Sequence, residues 1–348
     1  MSAETASTTD RGAPTGPPAA VKLAGVVVAL TAVITAMLLA FVLPTINSGP
    51  HDLPLGVAGP EAAVSQIEAG LSEMRPGAFE TREYPDADAV RTGIEYREVV
   101  GGIVVGPEGP TVMVASAGGV PISQALTGLA EGLREATGAP VPVEDVVPLP
   151  ADDPTGAGLS MLALPLVFGG MVPAIALVRL FAHSLTQRIV GAVSFAILAG
   201  FALTAVLQYG FGSLTGNFVG TSLAVSAGIG AISLTLLGLE SLFGLPGFAV
   251  GAVTMVFVAN PLSGMATTGS WLPAGWGTLG QLLPPGATGT VVRSAGYFDG
   301  HGAGGALVVL ACWIAAGTIL CVAGARFGRR GGADEPSARL DDTATPAG

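Results

Sequence analysis

The sequence predicts an α-helical polytopic membrane protein with six transmembrane helices and an α/β extracytoplasmic domain inserted between helices 1 and 2. Three observations carry this expectation. Half of the 348 residues are hydrophobic and only 11% are charged, against about 25% charged in an average soluble protein. With a mean hydropathy of +0.65, this excludes a soluble globular chain and a disordered one. Charge-free apolar runs recur at lengths that fit spans of about 20 residues. The charge is also segregated. Residues 46–156 hold 17 acids and 5 bases, whereas the rest of the chain holds 8 acids and 9 bases. The chain therefore reads as one acidic, water-facing block within an apolar protein. It has a single lysine, Lys22, and no basic patch, so nucleic acid is not expected as a partner.

In chain order, residues 1–21 are Ser/Thr/Pro/Gly-rich and read as a disordered cytoplasmic tail. Residues 22–44 form transmembrane helix 1. The run exceeds the roughly 7–15 apolar residues of a secretory signal and lacks a small-x-small cleavage site, so it reads as an uncleaved anchor. The extracytoplasmic α/β domain occupies 45–157. A five-helix transmembrane bundle follows over 158–326, and 327–348 reads as a second disordered cytoplasmic tail. Within the bundle, 159–180 is one span. The charge-free run 189–239 gives two spans, broken at Gln208–Ser213. Residues 241–259 and 304–325 give the last two. Basic residues near the span ends, Arg11, Lys22, Arg179, Arg188, Arg326, Arg329 and Arg330, fall on one side if there are six spans. That side is then cytoplasmic, with both termini inside. Arg293 is the exception on the outer side.

The acidic block alternates strand-like and helix-like patterns. Strands are expected at 53–58, 79–84, 98–105 and 111–115, and 141–147 closes the block. Helices are expected at 60–74, 86–94 (with Asp86 as the cap) and 121–136. The turn Gly106–Pro110 joins two of the strands. Alternation of this kind implies a compact domain on a mostly parallel sheet. Asp152 and Asp153 read as an exposed charge pair beside the membrane, and Glu240 as an inner-turn carboxylate facing water.

Motifs that would carry catalysis are missing. There is no G-x-x-x-x-G-K-[ST] phosphate loop, no G-x-S-x-G elbow and no H-E-x-x-H. His51, His183 and His301 lie in three separate loops, and Cys312 and Cys321 lie in one apolar run. No catalytic set, metal or cofactor is expected. Gly275–Gly280 matches G-x-G-x-x-G but follows no strand, so it is discounted as a dinucleotide site. Gly216/Gly220 and Gly247/Gly251 have the spacing of helix-association motifs.

The segment 260–300 is too polar and broken for a span, yet too apolar for a free loop. It reads as a re-entrant outer segment with its backbone shielded by neighbouring helices. Its candidate outer-gate residues are Asn260, Pro261, Trp271, Trp276, Pro284, Pro285 and Gly286.

These features converge on a resemblance. One anchor, a large outer domain, five further spans and the run NPLSG…LPPGA…RSxxYFDG (residues 260–300) resemble the ABC-2 type transporter permeases. The likeness is strongest to the YhgE/Pip-like and related actinobacterial ABC transporter permeases, and the outer-domain stretches LPLGVAGPEAAV, PGAFETREYPDADAVRTGIEYREVVGGIVVG and PTVMVASAGG add to it. The resemblance covers about residues 22–326. It implies a permease subunit in the bacterial plasma membrane, exporting a lipidic or amphipathic substrate and working as a homo- or heterodimer. Energy would come from a separate cytoplasmic ATPase, docked on the loop between spans two and three, here with Arg179, His183 and Arg188. The rival reading is a membrane-anchored surface receptor or scaffold that binds through its outer domain.

Overall fold

A computed structural model describes residues 19–331. The tails expected at 1–21 and 327–348 therefore lie outside the described residues, except that 19–21 and 327–331 are helical.

Among the described residues five helices are long and apolar enough to cross a membrane: Ala20–Ile46, Ala157–Leu180, Leu185–Gly210, Phe218–Ala259 and Gly304–Arg326. The first, within α1 (Ala19–Ile46), is exposed almost throughout. An apolar helix with so little protein against it needs lipid or another apolar surface around it. The others pack together. α8 (Phe218–Thr254) is the central helix, with α6 (Ala163–Leu180), α7 (Leu185–Ala205) and α11 (Gly304–Gly331) against it. Small residues set the spacing. A side chain at Gly200 of α7 would overlap Ser226, and one at Gly170 of α6 would overlap Ile232.

Two spans were expected across 218–259, and two helical limbs lie there, joined at Gly244 with no loop between them. α8 is not straight. Gly244 interrupts the helical backbone at φ 66°, ψ −157°, a region open essentially to glycine alone. Beyond it the chain folds back. A Cβ at Gly247 would sit 2.5 Å from the Leu239 carbonyl oxygen, and one at Gly251 would sit 2.7 Å from the Leu236 side chain. Residues 15 apart in a straight helix would be about 22 Å apart. The reversal uses Gly247 and Gly251 for contact between its own two limbs, with Pro246 completing the turn. Gly244→Ala should cost about 2 kcal/mol, the scale of a side chain forced into such a conformation, read as a lower melting temperature of the detergent-solubilised protein.

The bundle has two distinct ends. At one lie the α6–α7 loop, the Gly244 reversal and the C-terminal part of α11, where Gly324 packs directly on Ser241. At the other lies the inserted domain, a five-stranded mixed sheet in the order β2-β1-β3-β4-β5. Its strands are β1 (Leu53–Ala58), β2 (Phe79–Glu83), β3 (Gly101–Gly106), β4 (Gly109–Val114) and β5 (Val143–Asp145). All neighbours run parallel except β3 and β4. That hairpin is tighter than the expected five-residue turn, because Val105 pairs with Pro110 and Gly106 with Gly109.

Two adjacent glycines of β3 let helices approach both faces. A Cβ on Gly101 would overlap Leu126 of α4 (Val120–Thr137), and one on Gly102 would overlap Val90 of α3 (Ala87–Glu95). Asp86 caps α3 as expected, accepting from the Ala89 N–H at 2.8 Å. On one face, α2 (Glu61–Met74) and α4 build a core around Leu55, Leu71, Ile103 and Leu126. On the other, α3 contributes Val90 and Ile94, but that core also takes in Phe298 from the far end of the chain. The inserted domain is thus finished by a residue from the bundle.

Candidate functional site

The expected re-entrant segment contains two helices, α9 (Trp276–Gln281) and α10 (Pro284–Tyr297). α10 has little intrinsic helical tendency, since its sequence is PPGATGTVVRSAGY. It forms because Pro284 and Pro285 occupy the first turn, where the missing N–H costs nothing, and because burial against α8 holds the rest. Gly228 of α8 receives Thr288, and Gly216 lies against the carbonyls of Ala295 and Gly296. The discounted glycine motif is used for packing too. Cβ atoms at Gly277 and Gly280 would overlap the carbonyl oxygens of Gly269 and Leu262.

The outer-gate residues differ in burial, although the segments that carry them pack on one another through Gly277 on Gly269, Gly280 on Leu262 and Gly286 on Gly280. Pro284, Pro285 and Gly286 are buried in the first turn of α10. Asn260 is buried at the end of the second limb of α8, its Oδ1 without a hydrogen-bond partner, and Pro261 follows it partly buried. Trp276 is exposed. Trp271 packs against the core of the inserted domain, and its carbonyl accepts from the Gly49 N–H at 3.0 Å. It therefore joins two parts of the chain.

At the other end, the α6–α7 loop departs from expectation. Arg179 and His183 are exposed. Arg188 is not a free docking charge. Its Nη1 pairs with Glu240 Oε2 at 2.7 Å, and its Nε and Nη2 donate to the carbonyls of Phe181 and Ala182 at 3.0 and 2.8 Å. Glu240, expected to face water, is thereby engaged, and its side chain is only 17% exposed. Arg188 is a clip that ties the loop to the Gly244 reversal.

Asp153 also departs from expectation. Asp152 is exposed, but Asp153 is buried and caps α5 (Ala157–Met161), accepting from the N–H groups of Ala157 and Gly158 at 2.8 Å each. Burial pushes its carboxyl up. The Gly158 and Ala157 N–H groups, with the Ser213 and Thr155 hydroxyls, outweigh that and hold it below the usual carboxylate range. A folded-state value below the unfolded one gives stability that is present above about pH 4 and lost as pH falls through the folded value. Asp153→Asn should lower the melting temperature at neutral pH, and the gap to the native protein should narrow as acid protonates Asp153.

Sequence reasoning missed the site where the two halves meet. A cavity of about 330 Å³ lies between the inserted domain and α10. Its lining includes Arg97, Gly118, Gly119, Thr268, Ser270 and Arg293. Arg97 follows α3 with φ 62°, an uncommon conformation for a non-glycine residue. Its Nη1 donates to Ser294 Oγ at 2.5 Å and to the Thr290 carbonyl at 3.4 Å, and its guanidinium lies 5.2 Å from the centre of the Phe298 ring. Burial pulls Arg97 down to about 10, so it stays charged at neutral pH. Arg293, on α10, is 5% exposed. Its Nη2 donates to the Met265 carbonyl at 3.0 Å, and its Nε has no hydrogen-bond partner. No carboxylate pairs with either arginine among the described residues. Nearby, Tyr96 stacks on His301 with ring centres 3.9 Å apart.

A signal for Arg293 exists in the sequence, as the one basic residue expected on the outer side away from the acidic block. Arg97 carries none. It stands between Glu95 and Glu98 and looks like any surface base in an acidic domain.

Comparison with protein-family models and with curated proteins finds no match to this chain.

Proposed function

We propose that the chain is the permease subunit of an ABC-2 type exporter, moving a lipidic or amphipathic substrate across the bacterial plasma membrane and energised by a separate cytoplasmic ATPase. In this reading the Gly244 reversal gives six passages: α1, α6, α7, the two limbs of α8, and α11. The second limb, 245–259, is about 22 Å long at 1.5 Å per residue, shorter than a hydrocarbon core of about 30 Å. The segment 260–300 then sits at the outer side, and both termini are cytoplasmic. The permease works as a homo- or heterodimer, and α1 is free to face lipid or a second subunit.

One observation carries the choice of a permease over a tethered receptor. The inserted domain shares its core with Phe298 and hydrogen-bonds α10 through Arg97. A receptor module needs only a tether, whereas a domain built into the bundle feels any movement of α10. Since Arg188 is occupied by Glu240, the docking contacts for the ATPase fall to the exposed Arg179 and His183. Affinity purification from native membranes should bring down an ATP-binding protein, and Arg179→Glu with His183→Glu should release it while leaving the chain in the membrane. A native purification that holds no nucleotide-binding partner would count for the receptor.

A further inference from the structure

The cavity between the inserted domain and α10 is lined by positive charge. Two guanidinium groups line it, one of them almost fully buried with its Nε unpartnered, and neither meets a carboxylate among the described residues. A buried cation without an opposing charge is strongly disfavoured. The N-terminal end of the 18-residue helix α4 adds to the same sign, since Ile122 of its first turn lines the cavity, with Gly119 and Gly118 just before the helix. A helix N-terminus carries about half a positive charge. The loop and helix are held close there, because a Cβ at Gly119 would approach Thr268 Cγ2 to 2.8 Å.

The cavity does not stand alone. Gly269, Ser270, Gln281 and Thr290 line both it and a neighbouring groove of about 570 Å³, which runs on to Leu282, Ala306 and Val309. This second space lies between α9, α10 and α11. Its far wall is aliphatic, while the shared wall carries an amide and two hydroxyls. Thr290 Oγ1 donates to Gln281 Oε1 at 2.6 Å, and Gln281 Nε2 donates to the Ser263 carbonyl at 3.2 Å. These bonds hold the shared wall in place. The arrangement is a cationic chamber beside a mostly apolar groove, with Gly269, Ser270, Gln281 and Thr290 lining both.

We propose that Arg97 and Arg293 bind the anionic head group of an amphiphile, a phosphate or carboxylate, whose acyl portion lies along the Leu282–Val309 groove. Planar guanidinium groups suit bidentate contact with either head group, and an anion there supplies the missing countercharge. The site stands whether or not the chain moves what it binds, so its failure would leave the permease reading to its own test.

The test uses the full chain in nanodiscs of phosphatidylcholine, alone or doped with phosphatidylglycerol, followed by thermal unfolding. A parallel series adds inorganic phosphate to the phosphatidylcholine discs, with chloride at matched ionic strength as the reference. Phosphatidylglycerol should raise the midpoint of the native protein. Arg97→Gln and Arg293→Gln should each raise the half-saturating lipid fraction about tenfold, the scale of one lost hydrogen bond to a charged group. Arg91→Gln, whose partner is Glu144 on the inserted domain, should keep the native response. If Arg293→Gln does not fold, Arg97→Gln decides, because Arg97 is less deeply buried. Equal midpoints in both lipids would overturn the proposal, as would a native response in Arg97→Gln. A response to phosphate with none to phosphatidylglycerol would mark a small-anion site and overturn the amphiphile.

Discussion

Phe298→Ala should destabilise the full chain by about 4 kcal/mol, the usual range for emptying a buried aromatic position. Phe298 is 4% exposed and belongs to the core formed by Ala58, Val90, Ile94 and Met113. Its ring also lies beneath the Arg97 guanidinium. Truncation therefore removes apolar contact on one face of the sheet and a cation–π contact that holds Arg97 over α10. The loss should be structural at a distance as well. Limited proteolysis ought to cut the inserted domain faster, while the α6–α7–α8 core keeps its protection. Thermal unfolding in detergent checks the size, with Glu108→Ala, on the exposed β3–β4 turn, as the reference. If Phe298→Ala melts with Glu108→Ala, the inserted domain does not depend on the bundle.

The second large effect is expected at the opposite end. Removing either partner of Arg188–Glu240 leaves the other largely buried and unpaired, at 11% or 17% side-chain exposure. Such a loss costs about 3 kcal/mol. Arg188→Met should be the worse of the two, since the Phe181 and Ala182 carbonyls lose their donors as well. Arg188→Met combined with Glu240→Leu should recover much of the loss, because replacing both charges removes the unpaired one. A double-mutant cycle on melting curves reads this directly. If the two single effects simply add, Arg188 is not the clip described.

The inserted domain was legible to a large degree. Alternating patterns located four of its five strands and its three helices, and Asp86 was marked as a cap by type and position. What escaped were features made by contact between distant segments. Asp153 looked like one of two surface acids, and only the fold of α5 over it shows which of the pair is buried. Glu240 and Arg188 are 52 residues apart, and neither carries a local mark of the other. Two spans were read on either side of Glu240, but not the sharp reversal at Gly244 that joins them, because composition alone cannot separate a loop from a helix that doubles back. α10 was hidden for the opposite reason. Its prolines and glycines argue against helix until the neighbour that buries it is known. The candidate site suffered most. Arg293 was noticed as a misplaced base, but Arg97 sits among acids in sequence and beside Ser294 in space.

The inserted domain and the α6–α7 loop should lie on opposite sides of a membrane. Cysteine labelling tests it in a background of Cys312→Ala and Cys321→Ala. Glu108→Cys, on the exposed turn of the inserted domain, should react with a membrane-impermeant maleimide in intact cells. His183→Cys, on the α6–α7 loop, should react only after the cells are opened. Reaction of both in intact cells, or of neither until lysis, would place the two on one face and contradict the account.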